Sequence, residues 1–131
     1  MKRSQHISAF ITDRKKLKPK KFDIVNFGSS LQYIENIDCL KNDINFKFTD
    51  TILITHTPIS LSKKYKSKQK NHKSLIQNIH TLNNIKKYFK KIGFNLVFKS
   101  RNNNKYIACE KKLKKTFSLN LIFSKKNNLF F

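Results

Sequence analysis

The uneven spread of charge constrains this chain more than any other feature of its sequence. Residues 1–21 carry eight Lys/Arg and one Asp, a net +7. Residues 22–58 carry two lysines against five acids, a net −3. Residues 59–131 carry nineteen Lys/Arg and one Glu, a net +18. The sum is +22 over 131 residues. A compact body of that charge repels itself unless something anionic lies against it. A fold built from it must keep a small apolar core and hold the charge on its surface and extensions.

The chain can supply such a core. It is 38% hydrophobic, with 15 Ile and 12 Phe, many in periodic runs that a disordered chain lacks. Its length suits one domain. Phe22–Phe27 alternates weakly as a strand, and Gly28-Ser29-Ser30 makes a turn with a capping hydroxyl. Leu31, Ile34, Ile37 and Leu40 recur every three residues, which predicts a short helix near 31–41. Ile44, Phe46 and Phe48 alternate as a strand, and Ile52–Thr55 forms or continues one. Residues 57–73 are polar and basic with no apolar period, so they read as a long loop. Ile76, Ile79, Leu82, Ile85, Phe89 and Ile92 predict one long helix over 73–92, closed by Gly93. Lys86, Lys87, Lys90 and Lys91 suit its negative end. Phe94, Leu96 and Phe98 predict a strand that turns at Asn102-Asn103-Asn104 and returns over Tyr106–Cys109. Phe117, Leu119, Leu121 and Phe123 predict the last strand. The expected fold is α+β: a small mixed sheet packed on one long and one short helix. Residues 1–21 form a basic arm, 22–124 a single domain with the basic loop 57–73, and 125–131 a tail.

Catalytic chemistry finds little support in this sequence. The chain has only two glycines, Gly28 and Gly93, so no glycine-rich phosphate cradle exists. His6, His56, His72 and His80 lack metal-site spacing, and Cys39 and Cys109 stand apart as expected reduced thiols. No metal or cofactor is implied. A metal-dependent nuclease needs carboxylates beside a scissile phosphate. Asp38 and Asp43 flank a predicted helix end, but no motif spaces them, so this is a minor enzymatic alternative. No apolar run approaches the roughly 20 residues of a membrane span, so no membrane partner is expected.

Basic clusters are a stronger signal. Lysine ammonium groups displace counterions from phosphates. Three clusters are candidates for RNA contact. The arm offers Arg14, Lys15, Lys16, Lys18, Lys20 and Lys21. The loop offers Lys63, Lys64, Lys66, Lys68 and Lys70, with Tyr65 placed to stack on an unpaired base. The connector offers Lys111, Lys112, Lys114 and Lys115, and Arg101 adds a further contact. Phe46, Phe48, Phe89, Phe94 and Phe98 fit a core instead.

Codon economy points to a source. Lys, Asn, Ile and Phe account for 68 of the 131 residues, while Gly, Ala, Pro and Arg account for 9. The first set has A/T-rich codons and the second mostly G/C-rich ones. In this style the chain resembles the divergent ribosomal proteins encoded in A+T-rich mitochondrial genomes, such as those of ciliates. Within that class, Leu31–Leu40, Ile44–Thr55, Lys73–Ile92 and Gly93-Phe94 with the Phe94–Cys109 hairpin resemble the N-terminal half of the eighth small-subunit ribosomal protein. That family runs helix, strand, helix, hairpin; its C-terminal Ser/Thr-Gly-rich signature is absent here, and no binding residue is carried over from it. The resemblance implies an organelle-encoded protein of the mitochondrial matrix, a structural constituent of the ribosome. Its expected partners are rRNA and neighbouring ribosomal proteins, and a stable free monomer is not expected. The rival binding reading is a DNA-compacting nucleoid protein.

Overall fold

The structure is a computed structural model that describes residues 22–103 and 107–125. It is a mixed α+β fold in which strand predominates. Six strands are present: β1 (Ile24–Gly28), β2 (Thr51–Ser60), β3 (Tyr65–Gln69), β4 (His72–Ile79), β5 (Asn95–Arg101) and β6 (Thr116–Ser124). Two α-helical segments are present, the single turn α1 (Leu40–Asp43) and α2 (Leu82–Lys91). Four strands form a sheet in the order β1-β2-β6-β5, while β3 and β4 form a separate hairpin. β1 and β2 are parallel, and the β2–β6 and β6–β5 pairs are antiparallel.

Alternation decides which side chains enter the core. Ile52 pairs with Phe123, and Ile54 with Leu121, and all four are fully buried. Helix α2 lays Ile85, Tyr88 and Phe89 onto that face. Phe89 sits at the centre, 4.9 Å from the Phe123 ring and edge-on to Phe46 and Phe94. The reverse face carries Leu53, Ile122 and Phe98 in one row across β2, β6 and β5, with Phe98 half exposed. A bulge interrupts β2 between Ile54 and Thr57. His56 takes a left-handed φ of 48° there, and Asn120 Oδ1 accepts its N–H at 3.0 Å.

Several sequence expectations are corrected. The short helix expected over 31–41 is instead two 3-10 turns, Leu31–Tyr33 and Ile37–Cys39, leading into α1. Strict three-residue spacing matches the 3.0 residues per turn of a 3-10 helix better than 3.6. Leu31, Ile37 and Leu40 still reach the core. The strand expected at Phe46–Phe48 is also a 3-10 turn, because Asn45 Oδ1 accepts Lys47 N–H at 3.0 Å and bends the chain. Phe46 is buried by this turn, while Phe48 stays partly exposed.

The long helix expected over 73–92 is only α2, residues 82–91. Its first half is strand β4, and Thr81 is the N-cap, with its Oγ1 accepting Asn84 N–H at 3.1 Å. The expected loop 57–73 contains the end of β2, all of β3 and the start of β4. The hairpin expected between 94 and 109 is replaced as well: β5 pairs with β6, and Cys109 bridges Gln69 instead. The helix, strand, helix, hairpin order implied for 31–109 is thus replaced by turns, a strand, a hairpin, a helix and a strand.

Candidate nucleic-acid interface

β3 reads Tyr-Lys-Ser-Lys-Gln, and a strand sends alternate residues to opposite sides. Lys66 and Lys68 therefore point outward, while Tyr65, Ser67 and Gln69 turn inward. The inward face mixes the buried Ile79, opposite Tyr65, with hydrogen-bonded polar groups. Ser67 Oγ accepts Lys111 N–H at 2.9 Å, and Cys109 Sγ donates to Gln77 Oε1 at 2.7 Å. Burial pushes the Cys109 thiol up from its ordinary value. On the other face, Asn78, paired with Lys66, donates from Nδ2 to Gln32 O at 3.3 Å, while its buried Oδ1 has no hydrogen-bond partner.

These bonds join distant lysine clusters. Glu110 N–H donates to Lys68 O at 2.9 Å, Lys70 N–H to Ala108 O at 3.0 Å, and Leu61 N–H to Lys115 O at 2.8 Å. The connector carrying Lys111, Lys112, Lys114 and Lys115 is thereby stitched along the strand carrying Lys66, Lys68 and its neighbours Lys63, Lys64 and Lys70. All nine of these lysines are exposed.

Tyr65 occupies a different place from the one expected. It is half-buried, its hydroxyl lies 2.7 Å from Thr116 Oγ1, and it accepts Leu113 N–H at 3.3 Å. It pins the connector to the hairpin and does not present a ring for stacking. Arg101 is exposed, with its guanidinium 3.6 Å over the Phe117 ring. That contact flattens the cation against a ring two residues beyond Lys115 at the start of β6. Arg14, Lys15, Lys16, Lys18, Lys20 and Lys21 lie outside the described residues.

Glu35 tempers one end of the surface. It pairs with Lys66, and Lys64 Nζ donates to its backbone carbonyl at 2.9 Å. The hydrogen bond from Lys66, aided by the lysine's charge, holds the Glu35 carboxyl below its usual value.

A second set of lysines belongs to the surface and was missed by the sequence reading, which assigned it only to helix-end electrostatics. Lys86, Lys87, Lys90 and Lys91 form the outer ridge of α2, opposite Ile85, Tyr88 and Phe89. Their spacing of one, four and five residues was the available signal, because it fixes a single stripe. A groove of about 680 Å³ separates this ridge from the Ile37–Cys39 turn, lined among others by Lys64, Lys87, Lys90 and Lys91. Asp38 lies in the same groove. The other flank of α2 holds a second groove of about 570 Å³, with Lys86, Lys87 and Lys90.

Among the described residues, no three of His, Cys, Asp and Glu gather as metal ligands. No helix among them is long and apolar enough to cross a membrane. The chain matches no protein-family model, no curated protein and no solved structure.

Proposed function

We propose that this protein is a structural, RNA-binding constituent of the mitochondrial ribosome. One observation carries the reading: lysines remote in sequence are gathered into one surface. The connector lysines are hydrogen-bonded alongside β3, and Lys64 shares a groove with the lysines of α2. Clustered lysines of one sign bind a polyanion through phosphate contacts and counterion release, with little need for base-specific groups. The net charge of +22 gives such a partner a large role in stabilising the fold. The A/T-rich residue choice supports an organellar gene, and the acidic stretch 22–58 suits contact with basic protein neighbours.

Sedimentation of mitochondrial lysate, with and without RNase, tests this proposal. The protein is expected to travel with one ribosomal subunit and to be released by RNase. Travel with DNA, insensitive to RNase, overturns the reading in favour of a nucleoid protein. Migration as a free small species overturns it in favour of neither.

A further inference from the structure

We propose that α2 is a ridge for double-stranded RNA, which seats astride it with one phosphate chain in each flanking groove. This inference rests on the RNA-binding reading above and adds the form of RNA that the surface accepts. On a helix, residues four apart lie in one row, so Lys86 and Lys90 form one row and Lys87 and Lys91 the next. The two grooves divide these rows. Lys91 lines only the groove beside the Ile37–Cys39 turn, whose other lining residues include Lys64, Asn36 and Asp38. Lys86 lines only the sheet-side groove, above Phe94 and Leu96. Lys87 and Lys90 line both, so they stand on the crest between them. A single phosphate chain would need one such channel, and the fold builds two side by side.

The width and the chemistry also fit a duplex. An α-helix with its side chains is about 10–12 Å across. A-form RNA has a deep, narrow major groove that excludes side chains and a wide, shallow minor groove lined by 2′-hydroxyls. A ridge flanked by cations matches the wide groove, with a backbone on either side. Asn84 lines both grooves in the first turn of α2, and Asn83 lines the second. Their side-chain amides offer the donors and acceptors that a 2′-hydroxyl requires.

Single-stranded RNA is bound differently, on exposed aromatic faces. Neither groove has one. Phe94 is fully buried, and Tyr88 is nearly so. Tyr65, between Lys64 and Lys66, has its hydroxyl engaged. Tyr33 is exposed beside the hairpin, its hydroxyl donating to Gln69 Oε1 at 2.9 Å, but it lines neither groove. Among the described residues, the two grooves beside α2 thus have phosphate-binding groups in two rows and no exposed ring in their walls.

The test uses the full chain with three probes of one length: an RNA duplex, one of its separated strands, and the corresponding DNA duplex. The RNA duplex is expected to bind at least roughly tenfold more tightly than either alternative at physiological salt. Replacing all four ridge lysines (Lys86→Gln, Lys87→Gln, Lys90→Gln, Lys91→Gln) should abolish that preference and flatten the duplex salt slope by about 3 units. The matched connector variant (Lys111→Gln, Lys112→Gln, Lys114→Gln, Lys115→Gln) should weaken all probes alike. Lysine acetylation of the wild-type protein needs no variant, and duplex RNA should protect Lys87 and Lys90. Equal binding of duplex and single-stranded RNA, equal binding of DNA duplex, or unprotected Lys87 and Lys90 overturns the inference while leaving RNA binding intact. Failure to bind any RNA in a salt-dependent way overturns both readings together.

Discussion

His80 shows how one residue can serve the fold while titrating in an unusual window. The backbone delivers it from the end of β4 into the space beneath the 31–34 turn, where only 3% of its surface is exposed. Its Nε2 lies 2.7 Å from Ile34 O, so that nitrogen donates to the carbonyl. Burial holds its pKa below the ordinary 6.5, and the carbonyl only partly opposes the shift. The unfolded chain therefore takes up this proton at a higher pH than the folded one does. Stability from His80 is complete above about pH 6.5 and is lost as pH falls from there toward the depressed folded value. Thermal melts should be flat between about pH 7 and 8 and decline below that range, well before Glu35 titrates. His80→Gln should remove this decline while lowering the plateau by about 1–3 kcal/mol, the cost of a buried hydrogen bond lost. A decline that persists in His80→Gln would place the sensitivity elsewhere. Tyr65 carries a related lesson: a tyrosine among lysines reads as a stacking group, yet its hydroxyl found two partners and fixed it as a structural pin.

Among the elements, α2 and the β3–β4 hairpin divide a stretch that reads as a loop and one long helix. The three- and four-residue spacing of Ile76, Ile79 and Leu82 continues that of α2 without a break, so apolar periodicity alone cannot find the boundary. The boundary signal is Thr81, whose hydroxyl caps the Asn84 N–H. Thr81→Ala should cost about 1 kcal/mol in denaturant unfolding, with the slope of the transition unchanged. A negligible change would mean that packing of Ile85 and Phe89, and not the cap, sets where α2 begins. The hairpin itself was hidden because much of what it buries is polar. Ser67 and Gln77 are buried on one face, and Asn78, opposite Lys66, is buried on the other. A search for alternating apolar residues passes over such strands, whereas the alternation of Lys66 and Lys68 with Ser67 and Gln69 was visible throughout. The strands with apolar alternation, β6 above all, were legible without help.

For the whole molecule, the main electrostatic force opposing the free fold is its own net charge. A net +22 on a body this small creates repulsion over distances comparable to the Debye length, about 10 Å at 0.1 M salt. The free protein should therefore melt at a higher temperature as sodium chloride is raised. Duplex RNA should raise the melting temperature further, and that increment should shrink with salt as the phosphate contacts weaken. The two salt dependences have opposite signs, so one set of melts separates self-repulsion from binding. A free-protein melting temperature that does not rise with salt would show that the lysines are spaced widely enough to be tolerated alone.

From the sequence came the core and the charge. Phe89, Ile52, Ile54, Leu121 and Phe123 are buried because apolar side chains in periodic runs leave water whichever neighbours they find. The lysine count guarantees a cationic surface on any fold the chain adopts. Only the tertiary structure decided how those charges are arranged. The connector lies along β3 through backbone hydrogen bonds between residues about forty positions apart. The two grooves beside α2 exist because that helix packs between the Ile37–Cys39 turn and the sheet. Periodicity reports which way a side chain faces within its own element. Which elements then lie side by side depends on long-range pairing, and no local pattern records it.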